Sequence, residues 1–185
     1  MPGSVENVYS SAFFSLLEEK HGDKQAGYAA VVAELNSVND ILAAAPELVS
    51  FSLIPTVSRG DKVSVIKNIF DGKTSPEVLN FLCVISDKNR LSKFGGIFRS
   101  FRGMYYDKFG ITPVTVSSAF ALTADQRGKI ISKMEKITGG QIELSEKTDK
   151  NLIGGIIVDY KGSRLDGSVR TRLETLKKEI AETVL

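Results

Sequence analysis

The feature that most constrains the fold is a change in the spacing of apolar residues near position 110. Before this point, apolar residues recur at intervals of three and four, which is the period of one helix face. The clearest stripe consists of five large residues: Leu91, Phe94, Phe98, Phe101 and Tyr105. This stripe predicts a long helix whose apolar side forms the centre of a helical core.

Start and stop signals divide residues 1–110 into five to six helices. His21-Gly22 and Pro46 are expected to end the first two helices. Ser58 and Ser75-Pro76 are expected to begin two later ones, because Ser caps a helix and Pro fits its first position. So many helices joined by short connections predict an N-terminal all-α helical bundle over residues 1–110.

After a break at Gly110 the pattern becomes that of a small α+β domain, over residues 111–185. Val114 to Ala119 alternate and are rich in β-branched residues, which predicts a strand. Thr123 to Gln126 have the form of a capping box and predict the start of a helix. Three more short strands are predicted before a last helix begins at Ser168. The stripe of that helix is Val169, Leu173, Leu176, Ile180 and Val184. The fold class is therefore α+β overall.

Few residues in the chain are suited to catalytic or metal chemistry. With one His and one Cys, a His/Cys zinc site or a His-dependent nucleophile would depend on His21 or Cys83. We interpret His21 as a cation near the negative end of a helix, and Cys83 as a small buried hydrophobe. No phosphate-binding glycine motif is present. The chain is expected to be no enzyme and to need no cofactor, with a small enzyme built from Asp, Glu, Lys and Ser as an alternative.

Charge and hydropathy argue against a nucleic-acid-binding protein and against a membrane-spanning one. Residues 1–110 hold twelve acidic and twelve basic side chains, so no basic surface for a nucleic acid is expected there. No apolar run approaches the roughly 18–20 residues that cross a bilayer, and residues 1–6 lack the basic and apolar segments of a secretory signal. A binding or scaffolding module is favoured, without a small-molecule substrate.

The C-terminal third carries the motif of a known family. Within residues 149–158, an acidic residue and two apolar residues precede Gly154-Gly155, and Asp166-Gly167-Ser168 follows a predicted hairpin. This pattern closely resembles the signature of the ATP synthase delta subunit, whose mitochondrial relative is the oligomycin-sensitivity-conferring protein. Matches upstream extend the resemblance over nearly the whole chain. We expect these residues to be structural, through a close backbone approach at the glycines, a turn, and a helix cap at Ser168.

The resemblance implies a non-catalytic stator subunit of the rotary proton-translocating ATP synthase. In this family the N-terminal domain grips an amphipathic helix at the N-terminus of an alpha subunit, and the C-terminal region contacts the b subunits of the peripheral stalk. The chain would link the catalytic head to the stalk as a peripheral membrane protein. Its place would be the cytoplasmic face of a bacterial inner membrane, or the matrix or stromal face in an organelle. The alternative is an unrelated two-domain protein-interaction adaptor.

The resemblance also implies where the alpha-subunit helix binds, because the first and fifth helices build the family's groove. Carried onto this sequence, the groove comprises Tyr9, Ala12, Phe13, Leu16, Leu79 and Val84. The spacing of Phe13 and Leu16 favours core positions for both. Tyr9 and Ala12 are better groove candidates, because a small residue permits close approach and Tyr tolerates a half-exposed site.

Overall fold

The structure, a computed structural model, describes the backbone of residues 4–183 and the side chains of residues 4–177. Its contacts divide the chain into two compact units, of which the first ends at Tyr105 and the second begins at Tyr106. None of the helices within the described backbone combines the length and the apolarity that crossing a bilayer requires.

The first unit is built from helices, as the sequence predicts. The helices are α1 (Val5–His21), α2 (Gln25–Ala44), α3 (Pro46–Leu53), α4 (Arg59–Phe70), α5 (Pro76–Asp87) and α6 (Phe94–Phe109), with a 3-10 turn at Leu91–Lys93. The last turn of α6, from Tyr106, belongs to the second unit. Gly22 ends α1 with a φ of +57°, a conformation that favours glycine. Pro46 stops α2 and occupies the first turn of α3, where its missing N–H costs nothing.

The two predicted caps differ in what their hydroxyl groups do. Ser58 accepts a hydrogen bond from the Asp61 N–H at 3.1 Å, as a capping residue does. Ser75 lies at the cap position of α5, but its hydroxyl does not cap the helix. Its hydroxyl and its N–H both donate to Glu34 Oε2, each at 2.8 Å. Ser75 therefore joins α5 to α2 through bonds to a carboxylate, which are stronger than bonds between neutral groups.

All five residues of the predicted stripe are buried, and four of them lie on α6, whereas Leu91 lies in the 3-10 turn before it. The Phe101 ring lies 5.5 Å from that of Phe13 and 5.6 Å from that of Phe14, between ring centroids. Phe14 also contacts Tyr28 of α2, with 5.2 Å between centroids. Aromatic pairs at such distances add to the stabilisation that burial provides. This cluster joins α1, α2 and α6 into one core.

The second unit is a four-stranded sheet with one helix packed against it, and a second helix follows the last strand. Its elements are β1 (Thr112–Ser118), α7 (Ala124–Thr138), β2 (Ile142–Thr148), β3 (Ile156–Tyr160), β4 (Ser163–Asp166) and α8 (Val169–Thr183). The strand order is β2-β1-β3-β4. Strand β1 runs parallel to β2 and antiparallel to β3, which forms an antiparallel hairpin with β4. Together with the helical first unit, this sheet confirms the predicted fold class.

Strand β1 begins two residues earlier than the alternation predicts, and it contains Pro113. The Thr112 N–H donates to the Gln141 carbonyl on the β2 side at 2.8 Å, so the nitrogen of the next residue faces β3. Pairing with β3 starts only at Val114. The missing N–H of Pro113 therefore leaves no ladder bond unmade, which is why proline is tolerated at the start of this strand.

The core of the second unit is small. Met134 of α7 packs on Val114 and Val116 of β1 and on Val158 of β3. The predicted capping box of α7 is present, with Thr123 and Gln126 each bonding to the backbone of the other. On α8 the side chains of Val169, Leu173 and Leu176 are 40%, 50% and 47% exposed. The predicted stripe residues Ile180 and Val184 lie outside the described side chains.

Candidate partner-binding site

Helices α1 and α5 lie side by side and run in opposite directions. Three pairs join them: Tyr9 with Arg90, Phe13 with Phe81, and Lys20 with Glu77. The Arg90 guanidinium carbon, just beyond α5, lies 5.1 Å from the centroid of the Tyr9 ring. The rings of Phe13 and Phe81 are stacked at 4.1 Å with 11° between their planes. These contacts fix the spacing of the two helices along their length.

Apolar side chains line α1 on the side that faces α5. They occur at Val5, Tyr9, Ala12 and Leu16, a spacing of four, three and four that places them in one row. Tyr9 is half-buried beside Arg90, whereas Ala12 is exposed and Leu16 is 49% exposed. This row is solvent-accessible although it consists of residues that usually pack in a core.

Helix α5 contributes the other side of this surface. Phe81 is half-buried against Phe13, and Val84, three residues later, is 50% exposed. Residues three apart lie on the same side of a helix, so Val84 borders the row on α1. We refer to the surface formed by Val5, Tyr9, Ala12, Leu16, Phe81 and Val84 as the α1/α5 strip.

The predicted groove residues do not all lie on this strip. Phe13 is buried, which agrees with its core spacing, and it supports the strip from below through Phe81. Leu16, for which the core position was favoured, is half exposed instead. Leu79 precedes Val84 by five residues, or about 140° around the helix. It is half-buried on the other flank of α5 and lies away from α1.

Two residues of the strip were not identified from the sequence. Val5 was missed because it precedes Tyr9, the first residue that the resemblance assigns to the groove, and no helix start before Tyr9 was identified. The signal for an earlier start was Ser4, whose hydroxyl accepts a hydrogen bond from the Asn7 N–H at 3.4 Å. Phe81 was not assigned to the groove, because its role depends on a stacking partner that sequence spacing does not reveal.

The reactive side chains of the first unit are held in ordinary structural environments. His21 lies in the last turn of α1, with its ring 6.3 Å from that of Tyr28. Cys83 is half-buried. Burial raises the pKa of its thiol, and the charge of Lys67 opposes that rise. A thiol with a raised pKa is a poor nucleophile at neutral pH. Among the described residues, no group of three or more His, Cys, Asp or Glu could hold a metal ion.

The glycine pair of the signature permits two segments of backbone to touch. Gly155 has a φ of +81°, and a Cβ atom there would collide with the Gly167 carbonyl oxygen and lie 2.9 Å from Ser168 Cα. The Gly167 N–H donates to the Ile156 carbonyl at 2.9 Å, and the Val169 N–H donates to the Gly154 carbonyl at 3.0 Å. Only glycine allows this combination of dihedral angle and approach.

Asp166 organises the start of α8. Its Oδ1 accepts a hydrogen bond from the Ser168 N–H at 2.8 Å, and its Oδ2 accepts one from the Thr171 hydroxyl at 2.9 Å. The Ser168 hydroxyl caps the helix by accepting from the Thr171 N–H at 3.2 Å. The bonds from Ser168 and then Thr171 hold the pKa of the Asp166 carboxyl below its ordinary value. The signature residues thus dock the first turn of α8 against the segment before β3.

The fold and these sites define a two-unit binding protein, in which a helical bundle with an apolar surface strip precedes an α+β unit. The sequence profile of the ATP synthase delta (OSCP) subunit family matches residues 5–180, and the chain belongs to that family.

Relatives match the chain over almost its whole length. ATP synthase subunit delta of Fusobacterium nucleatum is 34% identical over 174 residues, which cover 94% of this chain and 97% of that one. The subunit delta of Desulforamulus reducens is 29% identical over 178 residues, covering 96% of each. ATP synthase subunit delta, sodium ion specific, of Propionigenium modestum is 31% identical, covering 94% of this chain and 97% of that one.

The fold also occurs in a solved structure. A chain of the Toxoplasma gondii mitochondrial ATP synthase hexamer superposes with a TM-score of 0.67. The match covers 97% of this chain and 98% of that one at 22% sequence identity. The arrangement of helices and strands is therefore shared despite the low identity.

Proposed function

We propose that this chain is a stator subunit of a rotary ATP synthase, which links the catalytic head to the peripheral stalk and catalyses no reaction itself. Residues 1–110 would bind the N-terminal helix of an alpha subunit, and residues 111–185 the b subunits of the stalk. Membership of the ATP synthase delta (OSCP) subunit family supports this role. The chain would then be attached to the membrane through its complex, on the side of the catalytic head.

The observation that carries the proposal is the α1/α5 strip. A helix can bind such a surface with apolar anchors at i, i+3 or i+4 and i+7. The strip runs along two antiparallel helices, so it offers a straight row of contacts of the same periodicity. The proposed occupant is an amphipathic helix that lies lengthwise over Ala12, Leu16 and Val84.

The residues of the α1/α5 strip would contribute to binding in different ways. Covering the exposed halves of Leu16 and Val84 would contribute about 1 kcal/mol each. Ala12 would let the backbone of the bound helix approach closely, since its side chain is small. Tyr9 would contribute a ring that is already ordered by Arg90, so that little conformational entropy is lost when the partner binds.

Calorimetry with the full-length chain and a synthetic peptide from the N-terminus of the organism's own alpha subunit tests the proposal. Leu16→Glu and Val84→Glu should each weaken binding at least about tenfold, or roughly 1.4 kcal/mol, because each places a charge under the apolar face of the helix. Both side chains are half exposed, so neither change should disturb the core.

Ile41→Glu is the matched control. Ile41 is 39% exposed on α2 and lines a different depression together with Val38 and Phe70. This variant should bind the peptide as the wild type does. Absence of any binding heat with the wild type would overturn the proposal, as would an equal loss of affinity in the Ile41→Glu control.

A further inference from the structure

Lys62 is a buried cation in the first unit. It lies near the start of α4 and is only 4% exposed. An ammonium group is costly to bury unless it is well paired. Yet the hydrogen-bond partner of Lys62 among the described residues is neutral, because its Nζ donates to Asn89 Oδ1 at 2.6 Å. The N-terminal end of its own helix also disfavours a positive charge. Stability alone therefore does not account for the ammonium group.

The partner of Lys62 lies in the turn that ends α5. The Asn89 N–H donates to the Ser86 carbonyl at 2.9 Å, and the Arg90 N–H donates to the Ile85 carbonyl at 2.9 Å. These two bonds form a Schellman motif, whose turn residue has a left-handed conformation. Asn89 occupies that position with a φ of +53°. Glycine is the usual residue there, and it has no side chain that a lysine from another helix can bind.

The same turn determines where Arg90 lies. Arg90 follows Asn89 directly, and its guanidinium carbon is 5.1 Å from the centroid of the Tyr9 ring in the α1/α5 strip. The Arg90 carbonyl accepts a hydrogen bond from the Lys93 N–H at 2.9 Å, so the following backbone is held as well. A change in the dihedral angles of Asn89 would redirect the Arg90 side chain. A series of contacts thus runs from Lys62 through Asn89 and Arg90 to Tyr9.

The end of α5 favours a cation at this place. Lys88 caps the helix, and Asn89 is the next residue, so the Lys62 ammonium binds at the end where the helix dipole is negative. Asn89 is itself exposed, so water would replace the bond from Lys62 if the ammonium were removed. Removing it would therefore leave no buried polar group of the turn without a partner. What would be lost is the fixed position of the Asn89 side chain.

We propose that Lys62 is a positioning residue of the α1/α5 strip, whose ammonium fixes the turn at Asn89 so that the Arg90 guanidinium lies over Tyr9 before a partner binds. This inference rests on the proposed function, in which the strip binds a helix. Lys62 contributes to affinity without touching the partner, because it orders a side chain beside the partner's site in advance. An Arg side chain that is disordered beforehand must be ordered on binding, which should weaken binding about threefold to tenfold.

The first test compares affinity with stability in Lys62→Met, which keeps an unbranched apolar side chain and removes the ammonium. Calorimetry with the full-length chain and the alpha-subunit peptide should show binding about threefold to tenfold weaker than in the wild type. The midpoint of urea unfolding should stay the same or rise, since an apolar group replaces a buried cation. A lower midpoint with unchanged affinity would mean that Lys62 acts only on stability, and it would overturn the proposal.

The matched control for the lost charge is Lys73→Met. Lys73 is exposed and lines the depression that contains Ile41, away from the α1/α5 strip. This variant carries the same substitution and the same change in net charge, and it should bind the peptide as the wild type does. An equal loss of affinity in Lys73→Met would contradict the proposal, because it would reflect the net charge of the chain and not the position of Lys62.

Two further variants show whether Lys62 acts through the turn and through Arg90. Asn89→Gly provides a residue that adopts positive φ without strain, so adding it to Lys62→Met should restore most of the lost affinity. Arg90→Ala removes the side chain that Lys62 is proposed to position. Adding Lys62→Met to Arg90→Ala should therefore cause no further loss of affinity. Absence of rescue by Asn89→Gly, or additive losses with Arg90→Ala, would each contradict the proposed route.

A measurement without any peptide separates this proposal from the proposed function. In the ¹⁵N-labelled free chain, the heteronuclear NOE of Arg90 Nε should show an ordered side chain in the wild type and a mobile one in Lys62→Met. If the wild type binds no alpha-subunit peptide, the proposed function fails, and the Arg90 signal alone decides the role of Lys62. If the peptide binds but Arg90 is equally ordered in both chains, the Lys62 proposal fails and the proposed function stands.

Discussion

The two units of the chain are stabilised in different ways. The largest fully buried side chains, including Tyr28, Phe70, Phe94 and Phe101, all belong to the first unit. The second unit has a core cluster of only a few buried residues around Met134, and close backbone contacts fix its last helix. The first unit thus presents the α1/α5 strip on a well-packed core. The second leaves Ile137 and Leu165 about half exposed beside its core.

Truncation in the aromatic core should give the largest effect, and it should be confined to the first unit. Phe101→Ala removes a buried ring that touches Phe13 and Phe14, so it should lower the free energy of unfolding of the bundle by about 3–5 kcal/mol. Hydrogen exchange measured by mass spectrometry on peptides from each unit would show faster exchange in α1, α2 and α6.

The control for this change is Phe120→Ala in the second unit. Phe120 is 79% exposed, and its truncation should change stability by less than about 0.5 kcal/mol. Equal acceleration of exchange in both units of Phe101→Ala would contradict the comparison, because it would mean that the second unit depends on the core of the first.

Much of the difference in fold between the two units could be predicted from the sequence, because it depends on local patterns of residues. The stripe from Leu91 to Tyr105 has a helical period, and all of its members are buried. The capping box at Thr123 is likewise a property of neighbouring residues. A hairpin was also predicted before Asp166, and its turn consists of Lys161 and Gly162, both with positive φ, as in a type I′ turn.

The sites were less predictable, because they depend on which faces of the elements remain uncovered. Leu16 has the spacing of a core residue, yet α5 lies to one side and leaves half of it exposed. Leu79 belongs to α5, but whether it faces the α1/α5 strip depends on where α1 packs. The exposure of Leu165 was not foreseen, since a period of two does not show that α7 stops short of it.

A change at Gly155 should give the second-largest effect, confined to the second unit. Gly155→Ala places a Cβ atom on a residue with φ of +81° and against the backbone of Gly167 and Ser168. We expect the free energy of unfolding of the second unit to fall by roughly 2–4 kcal/mol, because of the unfavourable dihedral angle and the collision together. Hydrogen exchange should accelerate in β3, β4 and α8 and stay unchanged in the bundle.

Gly162→Ala separates the collision from the dihedral angle. Gly162 has a φ of +76°, but a Cβ atom there would meet nothing within 4 Å. The Gly162→Ala variant should therefore lose only about 1–2 kcal/mol of its free energy of unfolding. If the two variants are equally stable, the close approach at Gly155 does not contribute, and the second unit is held by its core alone.

The smallest expected effect is a pH dependence that arises at Asp166. Hydrogen bonds from Ser168 and Thr171 lower the pKa of this carboxyl from its ordinary value of 3.8 in the folded chain. A carboxyl with a lowered folded pKa stabilises the fold fully above its unfolded value, and this contribution is lost as the pH falls through the folded pKa. Asp166→Asn should thus be less stable than the wild type at neutral pH.

Urea unfolding from about pH 7 down to about pH 3 measures this difference. It should be constant down to about pH 5 and then shrink below about pH 4, as Asp166 of the wild type becomes protonated. Thr171→Val, which removes one of the bonds, should show a smaller version of the same trend. Added salt should change it little, because hydrogen bonds lower this pKa more than the charge of Arg164 does. If the difference in free energy of unfolding between the wild type and Asp166→Asn is independent of pH, the charge of Asp166 does not help to hold α8. The second unit, like the first, would then depend chiefly on packing.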